Sequence, residues 1–126
     1  MAVKKRIVVN LRRQVLEAFE DNKRVYEFDC VSGDNQHPTP NGNWSVLHKF
    51  PLYTSHKYHV PMNHAMFFTH TGEAIHESHA VGIESAIRSL GVNPLNLGSH
   101  GCVRLNKSDA VTLFNWTPVG TPVSVS

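Results

Sequence analysis

The chain is poor in cysteine: 126 residues carry only Cys30 and Cys102. At most one disulfide can form, so a disulfide-stapled scaffold is excluded, as is a zinc site built from Cys-x-x-Cys pairs. No apolar run approaches the ~20 residues of a membrane-spanning helix. The first residues enter a polar-flanked strand almost at once, and no signal peptide is read there; that leaves either a mature form or a protein exported by another route, or not at all. Charge of one sign is also scarce, with a formal net charge of +2. Lys4-Lys5-Arg6 and Arg12-Arg13 are the basic clusters, too short for a nucleic-acid surface, and they read as solvated strand ends and a turn. Internal repeats, low-complexity stretches and linkers are absent. Apolar content of 40% with 17% charged residues fits one domain over residues 1–126 with one modest core. Small size without a heptad pattern points to a monomer.

Most of what is present alternates with the period of strands. Arg6 to Leu11 is rich in valine and isoleucine. Val15 to Glu20 follows, and Asp21-Asn22-Lys23 signals a turn into a returning strand, Arg24 to Val31. Gly33 to Gly42 has the composition of a loop. Trp44 to Phe50 alternates again, Pro51 to Asn63 is irregular, and short strands are expected at Met66 to Thr69 and Ala74 to His76. Val81, Ile83, Ile87 and Leu90 then fall near one helical face, with Gly91 as a stop. Asn106 caps a second helix that places Asp109 three positions on. Val119 to Ser126 closes as a strand. The expected fold is mostly β with two short helices.

The chemistry gathers in Ser99-His100-Gly101-Cys102-Val103-Arg104-Leu105. A thiol nucleophile needs a base, and Ala74-Ile75-His76 places a histidine after a short apolar run. Gly101 permits a tight turn in which backbone N–H groups face a developing oxyanion. Ser99 is placed to hold the loop by a local hydrogen bond. Arg104 offers a planar fork for a substrate carboxylate, or equally for a structural ion pair. Cys30, in an alternating Phe28-Asp29-Cys30-Val31, reads as a packing residue. Met62, Asn63 and Phe67, with Tyr53 and Tyr58, are candidates to line a groove. Core packing is the competing reading for Phe67 and Phe68, and alternation lets only one of them face inward. Nine histidines raise the question of a metal, but none stands in a His-Glu-x-x-His helix. Pairs such as His56 with His59, or His76 with His79, suit adventitious binding; no metal or other cofactor is expected, and a metal-dependent hydrolase is the weaker alternative.

The run Ser-His-Gly-Cys-Val-Arg resembles the signature of the L,D-transpeptidase catalytic domain (YkuD-type). So do Ile7 to Leu11, Val31-Ser32-Gly33 with Thr39-Pro40-Asn41-Gly42, Val60-Pro61-Met62, Ala74-Ile75-His76, and Asp109 to Phe114 with Gly120 to Val123, all in the right order. The resemblance implies a β-sandwich and a peptidoglycan acyltransferase of the cell envelope. Cys102 would be the nucleophile and His76 the base, oriented by a main-chain carbonyl near Glu77 or Ser78. His100, with Ser99 and Gly101, would support the oxyanion loop, and a flap would cover the site near Met62 to Phe67. A donor tetrapeptide would lose D-alanine and pass through a thioester to an amine of a second stem, giving a 3→3 cross-link; carbapenem-type β-lactams would inhibit. Two departures stand out. Glu77 follows His76 where the pattern usually has glycine, and the stretch to Cys102 is longer than usual, which makes His79 a rival base. Water as acceptor would make an L,D-carboxypeptidase, and lost turnover a cell-wall-binding domain.

Overall fold

The computed structural model describes residues 3–33, 38–54, 61–78 and 101–126. Among the described residues, nine strands form two sheets. The first sheet holds β1 (Lys5–Asn10), β2 (Val15–Glu20), β3 (Lys23–Asp29), β4 (Gly42–Ser45) and β9 (Pro122–Val125), in the order β3-β2-β1-β9-β4. The second holds β5 (His48–Phe50), β6 (Ala65–Phe67), β7 (Ala74–Glu77) and β8 (Val103–Leu105), in that order. Helix α1 (Lys107–Trp116) follows β8 directly.

Alternation builds the core. Ile7 and Val9 of β1, Leu16 and Ala18 of β2, and Val123 and Val125 of β9 point inward from one sheet. Met66, Ile75, Val103 and Leu105 meet them from the other, and Ala110 and Leu113 of α1 close the same cluster. The two sheets therefore pack as a sandwich, and the mostly-β expectation holds. Phe68 is 1% exposed in this core, whereas Phe67 lies half-buried on the opposite face of the second sheet. Cys30 is fully buried among the core side chains.

Three expectations need correction. Trp44 to Phe50, read as one alternating strand, is two. Gly42–Ser45 pairs with β9 in the first sheet, while His48–Phe50 pairs with β6 in the second. The chain changes sheets at Val46 and Leu47, whose N–H groups donate to Thr121 in one layer (2.9 Å) and Phe67 in the other (2.7 Å). Val46 stays buried through the crossing, so the hydrophobic alternation continues although the hydrogen-bond partners change. The strand expected over Met66 to Thr69 is instead Ala65–Phe67, because Thr69 turns its hydroxyl to Glu73. The closing strand, expected from Val119, begins at Pro122 after Thr121 closes a turn on the Pro118 carbonyl. The helix expected near Val81 to Leu90 lies outside the described residues.

Helix α1 starts as its sequence dictates. Asn106 Oδ1 accepts the Asp109 N–H at 2.9 Å, and Asp109 places its carboxylate in the positively polarised first turn. Its C-terminal end has no basic residue of its own. Lys49 of β5 supplies that charge, donating from Nζ to the carbonyls of Phe114 and Thr117 at 2.6 Å each, over the Phe114 ring. Lys5 of β1 does the same for the Trp116 carbonyl at 2.7 Å. Lysines from the two different sheets thus hold the two sides of one helix end. Partial burial lowers the Lys49 pKa, with the Lys5 charge adding to the effect. Replacing Lys49 with Met is expected to lower stability by about 1–2 kcal/mol, read as an earlier denaturant midpoint with an unchanged slope.

Candidate active site

The candidate nucleophile and base are brought onto one sheet face because β7 and β8 run parallel and adjacent. Their register pairs Ile75 with Val103, His76 with Arg104 and Glu77 with Leu105. One step back sets Ala74 beside Cys102, and the Ala74 N–H donates to Cys102 Sγ at 3.4 Å. Side chains alternate along a strand, so Ala74, His76, Cys102 and Arg104 share one face while Ile75, Val103 and Leu105 face the core. His76 and Cys102 are a diagonal step apart across two neighbouring strands.

Each group is fixed from behind. His76 Nδ1 lies 2.8 Å from the Glu77 carbonyl oxygen. A carbonyl only accepts, so this contact selects the tautomer with the proton on Nδ1 and leaves the Nε2 lone pair available. Glu77, the residue that departs from the resemblance, is itself anchored. Its N–H donates to the Asn63 carbonyl at 3.1 Å, and its buried carboxylate lies 3.5 Å from His64 Nδ1. His64, with φ +52°, packs edge-on against Phe114 of α1.

Gly101 has φ +92°, which L side chains rarely adopt, and any Cβ there would press on the Glu73 side chain at 3.1 Å. Glycine is therefore required before the cysteine. The Gly101 carbonyl accepts from Thr39 Oγ1 at 2.8 Å, and that hydroxyl oxygen accepts the Gly33 N–H at 2.9 Å. Val31 and Arg104 exchange backbone hydrogen bonds of 2.9 and 3.0 Å along the outer edge of β8. Gln14 holds Ser32 through both its backbone N–H and its hydroxyl. The two segments Val31 to Gly33 and Thr39 thus brace the cysteine turn.

Burial governs the electrostatics. It pushes the Cys102 thiol up to about 11, with the Glu73 charge adding to the rise and the Ala74 hydrogen bond and Arg104 opposing it. Burial brings His76 down to about 4, and Arg104 adds to the fall against the hydrogen bond to Glu77. Each shift taken singly favours the uncharged form near neutrality, and a neutral imidazole can act as a base.

The sequence-predicted residues divide as follows. Met62 is buried in a cluster with Ala65, Ala74 and Cys102, and Phe67 and Tyr53 pack against it. Asn63 serves the turn, where Oδ1 accepts the Tyr53 N–H at 3.4 Å and its carbonyl takes the Glu77 N–H. Ser99, His100, His79, Tyr58, His56 and His59 lie outside the described residues. Among the described residues, no three His, Cys, Asp or Glu side chains gather as metal ligands, and no helix is long and apolar enough to cross a membrane. Thr39 and Glu73 were not singled out by sequence reasoning. Thr39 sat inside a quoted motif, and the Thr-x-Thr-Gly-Glu turn before β7 was the one signal for Glu73.

The fold and this arrangement define a β-sandwich domain with a buried cysteine and histidine side by side on one sheet face. The L,D-transpeptidase catalytic domain model matches residues 4–125. The chain therefore belongs to the L,D-transpeptidase catalytic domain family. It is 28% identical over 105 residues to probable L,D-transpeptidase 3 of Mycobacterium tuberculosis, covering 74% of this chain and 36% of that protein. The L,D-transpeptidase structure from Stackebrandtia nassauensis superposes with a TM-score of 0.83 at 28% identity, over 98% of this chain and 55% of that one. A mutant Enterococcus faecium L,D-transpeptidase gives a TM-score of 0.75 at 30% identity, over 98% of this chain and 50% of that one. The chain thus spans about a third of the curated relative and about half of each solved one.

The depressed His76 pKa carries a sign. Between about 4 and the ordinary 6.5 the unfolded chain binds the proton that the folded one refuses, so stability falls as pH drops through that window. The expected loss is about 3 kcal/mol, measured by denaturant unfolding from neutral pH downward, and His76→Gln should flatten it. Thr39→Val, which leaves the Gly33 N–H and the Gly101 carbonyl without this hydroxyl, is expected to slow Cys102 chemistry about tenfold or more while costing about 1–3 kcal/mol of stability.

Proposed function

We propose that the protein is a cysteine-dependent L,D-transpeptidase acting on peptidoglycan stem peptides at the cell envelope. The observation that carries the reading is the shared face of β7 and β8. It holds a thiol under a backbone N–H beside an imidazole whose proton is committed to Nδ1. The family supports the substrate class. A related structure is described as an avibactam carbamoyl enzyme, a covalent adduct, at 30% identity.

With a thiol and an imidazole that both rest neutral, an ion pair formed in advance is unfavourable. The thiol proton passes to His76 Nε2 as Sγ closes on the carbonyl of the third stem residue. N–H groups of the Gly101-Cys102 turn receive the oxyanion. Collapse breaks the bond to the terminal D-alanine, whose nitrogen takes the proton back from His76, and a thioester remains on Cys102. An amine of a second stem then forms the amide bond, Sγ leaves, and a 3→3 cross-link results. Arg104, on the same face, is the candidate partner of a substrate carboxylate. Met62 and Phe67 wall the site; Ser99 and His100 are the support that the family resemblance implies for the oxyanion loop. No cofactor enters the scheme.

Intact-protein mass spectrometry with a purified disaccharide-tetrapeptide tests the reading. The wild type is expected to gain the donor minus D-alanine, and Cys102→Ala to gain nothing while keeping its fold. His76→Ala is expected to slow adduct formation by about 10²–10⁴-fold, and His79→Ala only mildly. The reverse order of the two histidines would move the base to His79. Product analysis distinguishes cross-linked from trimmed stems.

A further inference from the structure

Glu73 stands at the head of β7, immediately before the residue whose N–H meets the thiol. Thr69 Oγ1 donates to its Oε1 at 2.6 Å, and Thr71 Oγ1 donates to the same oxygen. The Glu73 N–H returns to Thr69 Oγ1 at 3.0 Å, and its carbonyl takes the Phe68 N–H at 3.1 Å. Both hydroxyls hold Oε1. Oε2 is the oxygen on the Gly101 side, 3.4 Å from where a Gly101 Cβ would stand. A carboxylate is thus held in place against the glycine that precedes the nucleophile.

That position hinders the first half of the reaction. The Glu73 charge opposes formation of the Cys102 thiolate, and an anion next to the oxyanion turn does nothing for the developing negative charge. The second half has a different requirement. Once the thioester exists, a primary amine must be chosen over water, and near neutral pH an aliphatic amine arrives largely as an ammonium ion. An anion held against the cysteine turn attracts that cation and leaves water unaffected. Arg104 lies on the face of Cys102, while the Glu73 charge stands at the turn that leads into it.

We infer that Glu73 is a specificity-determining residue for the acceptor, binding through Oε2 the ammonium group of the incoming stem; this rests on the transpeptidase reading above. The ammonium gives one proton to solvent, and its nitrogen forms the bond to the acyl carbon. The C–Sγ bond breaks with its electron pair on sulfur, and a second nitrogen proton ends on Cys102.

Glu73→Gln tests this, since the amide oxygen still accepts from Thr69 and Thr71 while the charge is gone. The adduct is formed from a disaccharide-tetrapeptide donor, then exposed near neutral pH to one of two nucleophiles. One is a diamino-acid stem peptide, the other is hydroxylamine, which is uncharged there. The ratio of amine transfer to hydrolysis is read for each, so the fraction of active protein cancels. In Glu73→Gln the ratio for the stem amine is expected to fall about tenfold, the size of a lost charge-assisted hydrogen bond. The ratio for hydroxylamine should stay as in the wild type. Unchanged ratios, or an equal fall for both nucleophiles, would overturn the inference and leave Glu73 a structural lock on the turn. Wild-type adduct that passes only to water would also overturn it while sparing the thioester. Absence of wild-type adduct would remove the transpeptidase reading itself, and this inference with it.

Discussion

The parallel pairing of β7 with β8 is the constraint on which the rest depends. Two short strands, well separated in sequence, lie edge to edge in a register that sets Ala74 beside Cys102 and His76 beside Arg104. A shift of one residue would turn the imidazole into the core and Ile75 out of it. The core resists that shift from both sides, because Ile75, Val103 and Leu105 are all essentially buried. Parallel neighbours also need a long crossover between them. The length of chain between His76 and Cys102, unusual against the family pattern, is compatible with that need.

The same burial that secures the register sets the chemistry. A thiol pushed up to about 11 and an imidazole held near 4 are both uncharged around neutrality. In the proposed reaction the thiol therefore stays protonated until a carbonyl arrives to draw the proton transfer along. Its supports are mainly backbone: the Ala74 N–H on sulfur, the Glu77 carbonyl on the imidazole, and the Gly101 carbonyl on Thr39. Backbone groups of a buried sheet are hard to displace, which suits a site whose two candidate reacting side chains carry little charge to hold them.

Much of this was legible in the chain. Alternation located β1 and β2, and the Asn106 cap with Asp109 announced α1 to the residue. The proposed nucleophile is read from a glycine-cysteine turn, and the proposed base from a histidine ending an apolar strand. What stayed hidden depends on three dimensions. The alternation of Trp44 to Phe50 runs on through Val46, so nothing in it marks the passage from one sheet to the other. Asn63 looks like a ligand-binding side chain, yet its oxygens hold a turn for Tyr53 and Glu77. Thr39 and Glu73 reach the cysteine turn from distant parts of the chain, and no local pattern records such an approach. Glu77 stood out as a departure, and only the fold shows that its carbonyl faces His76 while its carboxylate turns toward His64.

The proposed reaction starts from Cys102 as a neutral thiol with His76 as a neutral base. The most direct measurement is the rate of Cys102 alkylation by iodoacetamide as a function of pH, in wild type and in His76→Ala. A neutral thiol gives a rate that climbs without a plateau through neutral pH toward a midpoint near 11. A plateau at neutral pH that disappears in His76→Ala would reveal a thiolate-imidazolium pair at rest and contradict it.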